Sequence, residues 1–149
     1  MPKNPLGLYI HIPFCQAKCA YCDFYSMSGS GEALMQRYVD ALISQMETYS
    51  HAAKEYVVNT IFIGGGTPTT LPVTLMCKLI DGIKKNFNIA RGAEFTMEAN
   101  PATVTRAALA KYRKKGVNRL SIGLQSASNE ELAYGIKIAL LEILDSVHS

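Results

Sequence analysis

The chain has 149 residues, of which 48% are apolar and 18% charged, and a formal net charge of +3. This length suits one domain, and the composition excludes an intrinsically disordered chain. No stretch reaches the about 18 apolar residues of a membrane span, and the N-terminus lacks the apolar middle of a signal peptide, so we predict a cytoplasmic protein whose thiols stay reduced.

Strands and helices are predicted to alternate along the chain, which is typical of parallel β-α units. Ser30 is the expected N-cap of the first helix, and Gly116 is expected to end the third. The predicted strands span residues 8–13, 60–63, 94–99 and 119–125, and the predicted helices span 32–53, 72–87, 103–115 and 130–146.

Three of the four predicted strands alternate apolar and polar side chains. In the first strand Leu8, Ile10 and Ile12 alternate with Tyr9 and His11, and the third and fourth strands follow the same pattern. A central strand of a doubly wound sheet is apolar on both faces, whereas a barrel strand can turn a polar face inward. We therefore predict part of a (β/α) barrel with its chemistry at the carboxyl ends of the strands.

Three cysteines, Cys15, Cys19 and Cys22, follow the first strand with the spacing C-x-x-x-C-x-x-C. Three buried apolar thiols in one loop would be unusual packing. A structural zinc ion needs four ligands, so it would also require His11 or the distant Cys77. An iron–sulfur cluster is usually held by four thiolates, and three would leave one iron open to a small molecule.

Four motifs in order resemble one family: LYIHIPFCQAKCAYCDFYS, IFIGGGTPT, FTMEANP and GVNRLSIGLQS. They resemble the radical S-adenosylmethionine (SAM) superfamily. Within it, they are similar to the group of the oxygen-independent coproporphyrinogen III oxidases and the heme chaperone HemW. The resemblance covers residues 8–131 and implies a TIM-like radical SAM barrel, of which about four β-α units are present.

The resemblance also implies the cofactors. Cys15, Cys19 and Cys22 are expected to hold a [4Fe–4S] cluster whose open iron binds the amino and carboxylate groups of SAM. In the family, the reduced cluster cleaves SAM to a 5'-deoxyadenosyl radical, which abstracts hydrogen from a substrate. No further catalytic residue is assigned.

The glycine-rich segment after the second strand permits close backbone approach, although a plain tight turn would also explain it. The G-x-x-x-x-G-K-[ST] pattern of a phosphate loop is absent. By resemblance, Gly65, Gly66 and Thr67 are expected to contact the methionine part of SAM.

Two polar residues end predicted strands on the polar face, Glu98 and Gln125. Each alone is consistent with a satisfied polar residue, and together they suit hydrogen bonds to ribose hydroxyls or an amino group. The family uses the matching positions for SAM. Tyr9 and Tyr21 also match SAM-contacting positions of the family.

Two departures from the family pattern shape the functional hypothesis. Phe24 stands where the oxidases carry a further cysteine, which favours a HemW-like protein. Residues 132–149 depart from the family and are interpreted as a divergent tail after a radical SAM core over residues 1–131. We therefore predict the N-terminal part of a HemW-like protein, with heme implied only for the full-length family.

Two alternatives stay open: a coproporphyrinogen III oxidase and a non-enzymatic zinc-binding module. No nucleic-acid partner is predicted, because the cations lie in predicted helices without interleaved aromatic residues. An open sheet edge and the apolar tail predict self-association.

Overall fold

The computed structural model describes residues 3–15, 27–28, 31–101 and 103–122. Two 3-10 helices, Ala52–Glu55 and Pro68–Thr70, connect larger elements. The strands in this part of the chain are β1 (Asn4–Ile12), β2 (Phe14–Cys15), β3 (Met27–Ser28), β4 (Tyr56–Gly65), β5 (Ile89–Ala99) and β6 (Arg119–Ile122), and the α-helices are α1 (Glu32–Tyr49), α2 (Val73–Asn86) and α3 (Arg106–Lys115).

The main sheet has the strand order β1-β4-β5-β6, and every neighbouring pair is parallel. Each β-α-β connection therefore adds the next strand on the same side of the strand before it. Because such connections are right-handed, they place the helices on one face, where α1 packs on α2 and α2 on α3. A doubly wound sheet would reverse its strand order. The predicted partial TIM-like barrel is confirmed.

The alternation predicted within the strands is also confirmed. Ile10 and Ile12 of β1 and Met97 of β5 are buried against the helices, whereas Tyr9 on the opposite face is 58% exposed. Thr96 also belongs to the polar face of β5 and is nevertheless fully buried. The helices contribute the other side of the core, with Met35 and Val39 of α1, Met76, Leu79, Ile80 and Ile83 of α2, and Leu109 and Tyr112 of α3.

Three strands are longer than the pattern predicted, since β5 begins at Ile89 and not at residue 94. β1 begins at Asn4, and β4 begins at Tyr56 and continues through Gly64 and Gly65. The prediction that the glycines end this strand was wrong. They pair in register with His11 and Ile12 of β1, so pairing with a neighbouring strand outweighs the weak strand propensity of glycine.

Helix ends also differ from the predictions. α1 ends at Tyr49, and its N-cap is Gly31 without a side-chain hydrogen bond, so the predicted Ser30 cap was wrong. α3 begins at Arg106 because Thr105 caps it: the Thr105 hydroxyl accepts a hydrogen bond from the Ala108 N–H at 3.1 Å. The predicted end of α3 is confirmed, since Gly116 has the left-handed φ of 118°.

The predicted final helix, the last three residues of the fourth predicted strand and the proposed boundary at residue 131 lie outside the described residues. In the part of the chain that the structure describes, no helix combines the length and apolar character that crossing a bilayer requires. The cytoplasmic location stays a prediction.

Candidate cofactor site

The candidate site lies where β1, β4 and β5 end. Parallel strands bring their carboxyl ends to one edge of the sheet, so segments distant in the sequence meet there. Cys15 ends β2, directly after β1, and its side chain is half-buried. Of the other predicted site residues, Cys19, Cys22, Tyr21 and Gln125 lie outside the described residues.

The glycine-rich segment is hydrogen-bonded to the backbone that leads to Cys15. The Gly66 N–H donates to the carbonyl of Ile12 and the Thr67 N–H to the carbonyl of Phe14, both at 2.7 Å. These two bonds extend the β1–β4 pairing beyond the strands. They hold the Gly66–Thr67 segment against the first cysteine.

Glycine is required at two positions of this segment. A Cβ atom at Gly66 would lie 2.7 Å from the Phe14 carbonyl oxygen and 2.8 Å from Cys15 Sγ. Gly65 has φ of 119°, which other residues rarely adopt, and a Cβ there would lie 2.7 Å from His11 Nδ1. The glycines therefore allow two backbones to approach more closely than any side chain would permit.

Two polar side chains connect this segment to its neighbours. The Thr67 hydroxyl donates to Cys15 Sγ at 3.9 Å. Glu98, at the end of β5, accepts a hydrogen bond from the Gly65 N–H, with a distance of 3.2 Å to Oε2. The structure thus brings together five of the predicted site residues that it describes, Cys15, Gly65, Gly66, Thr67 and Glu98.

A cavity of about 210 Å³ opens beside this group. Two of its lining residues, Asn100 and Ser121, were missed as site residues in the sequence, although both stand at strand ends and Ser121 belongs to the polar face of β6. The cavity is lined by Gly66, Thr67, Pro68, Glu98, Ala99, Asn100, Ser121 and Ile122.

Tyr9 lies on the same face of the sheet, but it does not line this cavity. Its hydroxyl is 3.1 Å from His11 Nδ1, and its ring stacks on Phe62 with centroids 6.0 Å apart. Partial burial and, second, the negative charge of Glu98 raise the pKa of Tyr9. The phenol therefore stays protonated at neutral pH, with its hydroxyl at hydrogen-bond distance from His11 Nδ1.

Tyr38 of α1 supports the same region from the helix layer. Its hydroxyl donates to the carbonyl of His11 at 2.6 Å, and its ring meets Phe14 edge-on with centroids 5.4 Å apart. In the sequence, Tyr38 belongs to the apolar stripe of the predicted helix 32–53, and no site role was predicted for it. A tyrosine in such a stripe places a hydroxyl at the core, and that was the available signal for this contact.

Cys77 lies apart from this group. It is half-buried in α2 and packs against the hydrophobic core between the helices and the sheet. Among the described residues, no three side chains of His, Cys, Asp or Glu form a metal-binding group.

The residues present fit a metal-bound small molecule on chemical grounds. A thiol lies at the start of the cysteine loop, and the glycine backbone passes it so closely that a Cβ would touch its sulfur. A carboxylate and hydroxyl groups line the cavity beside it, and such groups can bind an amino group and hydroxyls. The site thus combines a soft metal ligand with hydrogen-bonding groups for a polar ligand.

Comparisons with known proteins agree with this chemistry. The family described as the radical SAM superfamily matches residues 9–148. The heme chaperone HemW of Escherichia coli is 48% identical over 128 residues, covering 86% of this chain and 34% of the relative. The heme chaperone HemW of Mycobacterium tuberculosis is 35% identical over 151 aligned positions, covering 100% of this chain and 36% of the relative.

A solved structure extends the likeness to the fold. The coproporphyrinogen III oxidase HemN of Escherichia coli, described as a radical SAM enzyme, superposes with a TM-score of 0.87 at 28% identity. The match covers 97% of this chain and 35% of that protein. The chain spans about a third of the length of the curated relatives it matches.

Proposed function

Because the chain belongs to the radical SAM superfamily, we propose that Cys15, Cys19 and Cys22 hold one [4Fe–4S] cluster with SAM bound beside it. The observation that carries the proposal is the packing of Gly66 and Thr67 against Cys15 at the wall of a polar cavity. When bound, such a cluster supplies the electron that cleaves SAM.

The chain's own residues bind and orient SAM in this proposal. Gly65, Gly66 and Thr67 contact its methionine part, since Gly66 and Thr67 line the cavity beside Cys15 and Gly65 precedes them in the chain. Glu98 accepts a hydrogen bond from the Gly65 N–H and also lines the cavity, so its carboxylate is placed to accept hydrogen bonds from the ligand. Tyr9, Tyr21 and Gln125 complete the proposed SAM contacts.

For the whole protein we propose a role in heme handling like that of HemW. Support comes from the heme chaperones that are 35–48% identical to this chain and from Phe24, which replaces the further cysteine of the oxidases. A heme titration of the protein followed by its Soret absorbance tests this role. Saturable binding is expected, and no spectral change would contradict it.

A second candidate function is oxidative decarboxylation of coproporphyrinogen III. It is favoured by the close match of this fold to the HemN oxidase. Anaerobic incubation of the cluster-loaded protein with SAM, a reductant and coproporphyrinogen III separates the two functions. A chaperone leaves the porphyrinogen unchanged, whereas an oxidase releases carbon dioxide and cleaves SAM in step.

Metal analysis tests the cofactor proposal directly. After anaerobic reconstitution, we expect iron and acid-labile sulfide in equal amounts, with Cys15→Ala losing both. Cys77→Ser is the matched control and should load fully, because Cys77 lies in the helix layer. Zinc without sulfide would instead establish the zinc-binding alternative, and loss of iron from Cys77→Ser would contradict the assigned ligands.

A further inference from the structure

We infer that Thr67 is a positioning residue for the cluster: its hydroxyl, directed at Cys15 Sγ, raises the reduction potential of the iron group that this sulfur binds. The inference rests on the cluster proposed above. It assigns Thr67 a role that is separate from its proposed contact with SAM.

The first observation is the contact itself. The Thr67 Oγ1 and Cys15 Sγ atoms are 3.9 Å apart, at the long end for a hydrogen bond to sulfur. A thiolate carries more negative charge than a thiol and attracts the hydroxyl proton more strongly. The contact is therefore expected to tighten when the sulfur is bound to metal.

The second observation is that the backbone brings the hydroxyl to this place. The Thr67 N–H donates to Phe14, the residue before Cys15, and the Gly66 N–H donates to Ile12, each at 2.7 Å. The backbone at Gly66 is so near the sulfur that a Cβ would lie 2.8 Å from it. The Thr67 side chain thus starts from an anchored backbone beside the sulfur.

The third observation is that the Thr67 hydroxyl does not make the capping hydrogen bond that a threonine at a helix N-cap usually makes. Thr67 is the N-cap of the 3-10 helix Pro68–Thr70, but its side chain makes no capping hydrogen bond. Thr105, the N-cap of α3, does make one, to the Ala108 N–H. The Thr67 hydroxyl is directed to Cys15 instead.

The consequence for the metal group follows from charge. Reduction adds an electron to the iron and sulfur atoms, and a hydrogen-bond donor at a ligand sulfur stabilises that added negative charge. Removing the donor should therefore make the cluster harder to reduce. The effect does not require SAM, because the donor acts on the sulfur.

The experiment compares Thr67→Val, which replaces the hydroxyl by a methyl group of similar size, with Thr67→Ser, which keeps the hydroxyl. Thr105→Val is the matched control, since it removes a threonine hydroxyl at a helix cap far from the cysteines in sequence. Each reconstituted chain is titrated without SAM, and the reduced cluster is followed by electron paramagnetic resonance. Iron content and SAM affinity are measured separately.

We expect Thr67→Val to shift the midpoint potential to more negative values at full iron content, while Thr67→Ser and Thr105→Val stay near the wild-type value. An unshifted Thr67→Val would overturn the inference, and so would equal shifts in the Val and Ser variants. Weaker SAM binding with an unshifted potential would leave Thr67 as a ligand contact only. If the reconstituted wild-type chain contained no iron, both the proposed function and this inference would be refuted.

Discussion

Replacing Gly66 by alanine tests the close approach that defines the candidate site. The added Cβ would lie 2.7 Å from the Phe14 carbonyl oxygen and 2.8 Å from Cys15 Sγ, whereas real Cβ contacts essentially never fall below 3.0 Å. The carbonyl cannot withdraw freely, because it accepts the 2.7 Å hydrogen bond from the Thr67 N–H. The alanine must therefore displace one backbone segment from the other.

Overpacking of this kind typically costs about 1–3 kcal/mol of the free energy of unfolding. For a chain of this length, each kcal/mol lowers the melting temperature by about 2–4 °C, so we expect a decrease of about 2–12 °C. Because the displaced segment carries Cys15, iron uptake should fall as well. Thermal unfolding of the metal-free chain by circular dichroism and iron content after reconstitution measure the two effects.

Gly31→Ala is the control for the Gly66 variant. Gly31 has φ of −72°, and a Cβ there meets nothing within 4 Å. A small change in stability, up to about 1 kcal/mol for an altered N-cap, is expected with unchanged iron uptake. If Gly66→Ala matched the wild-type chain in both measurements, the two backbones could not lie as close as described.

Three further predictions concern the ligand, the pH dependence and the assembly. Glu98→Gln keeps an oxygen for the Gly65 N–H but loses the charge. SAM binding should weaken by about 0.5–1.5 kcal/mol if the partner is a hydroxyl, and by more if it is a charged amino group, with little change in melting temperature. Calorimetry measures both quantities, and a variant that unfolds while its residual SAM affinity is normal would indicate a structural residue. Burial raises the pKa of Tyr112 from 10.0 to about 12, so its contribution to stability is complete below pH 10 and is lost as the pH rises towards 12. Urea unfolding at pH 8 and pH 11 should thus show a smaller alkaline loss for Tyr112→Phe than for wild type, and equal losses would refute the assigned burial effect. Size-exclusion chromatography should show self-association from the apolar tail, and a protease-resistant monomer would contradict it.

The sequence by itself determined the architecture through patterns that are local. Alternating side chains in β1 and β5 indicated strands with one apolar and one polar face, and this pattern follows from the period of two in any strand. Gly116 indicated the end of α3 because a left-handed residue there favours glycine. The carboxyl-end position of the glycine-rich segment and of Glu98 also followed, since parallel strands end at the same edge.

Only the tertiary structure decided how far β4 extends and which atoms meet at the site. Gly64 and Gly65 stay in the strand because β1 lies beside them, and a local propensity contains no information about that neighbour. The hydrogen bond from Gly65 to Glu98 and the contact of Thr67 with Cys15 join residues 33 and 52 positions apart. Such contacts depend on the register between strands and on the packing of the segments that follow them. Both are set by the whole core, so no single segment of the sequence specifies them.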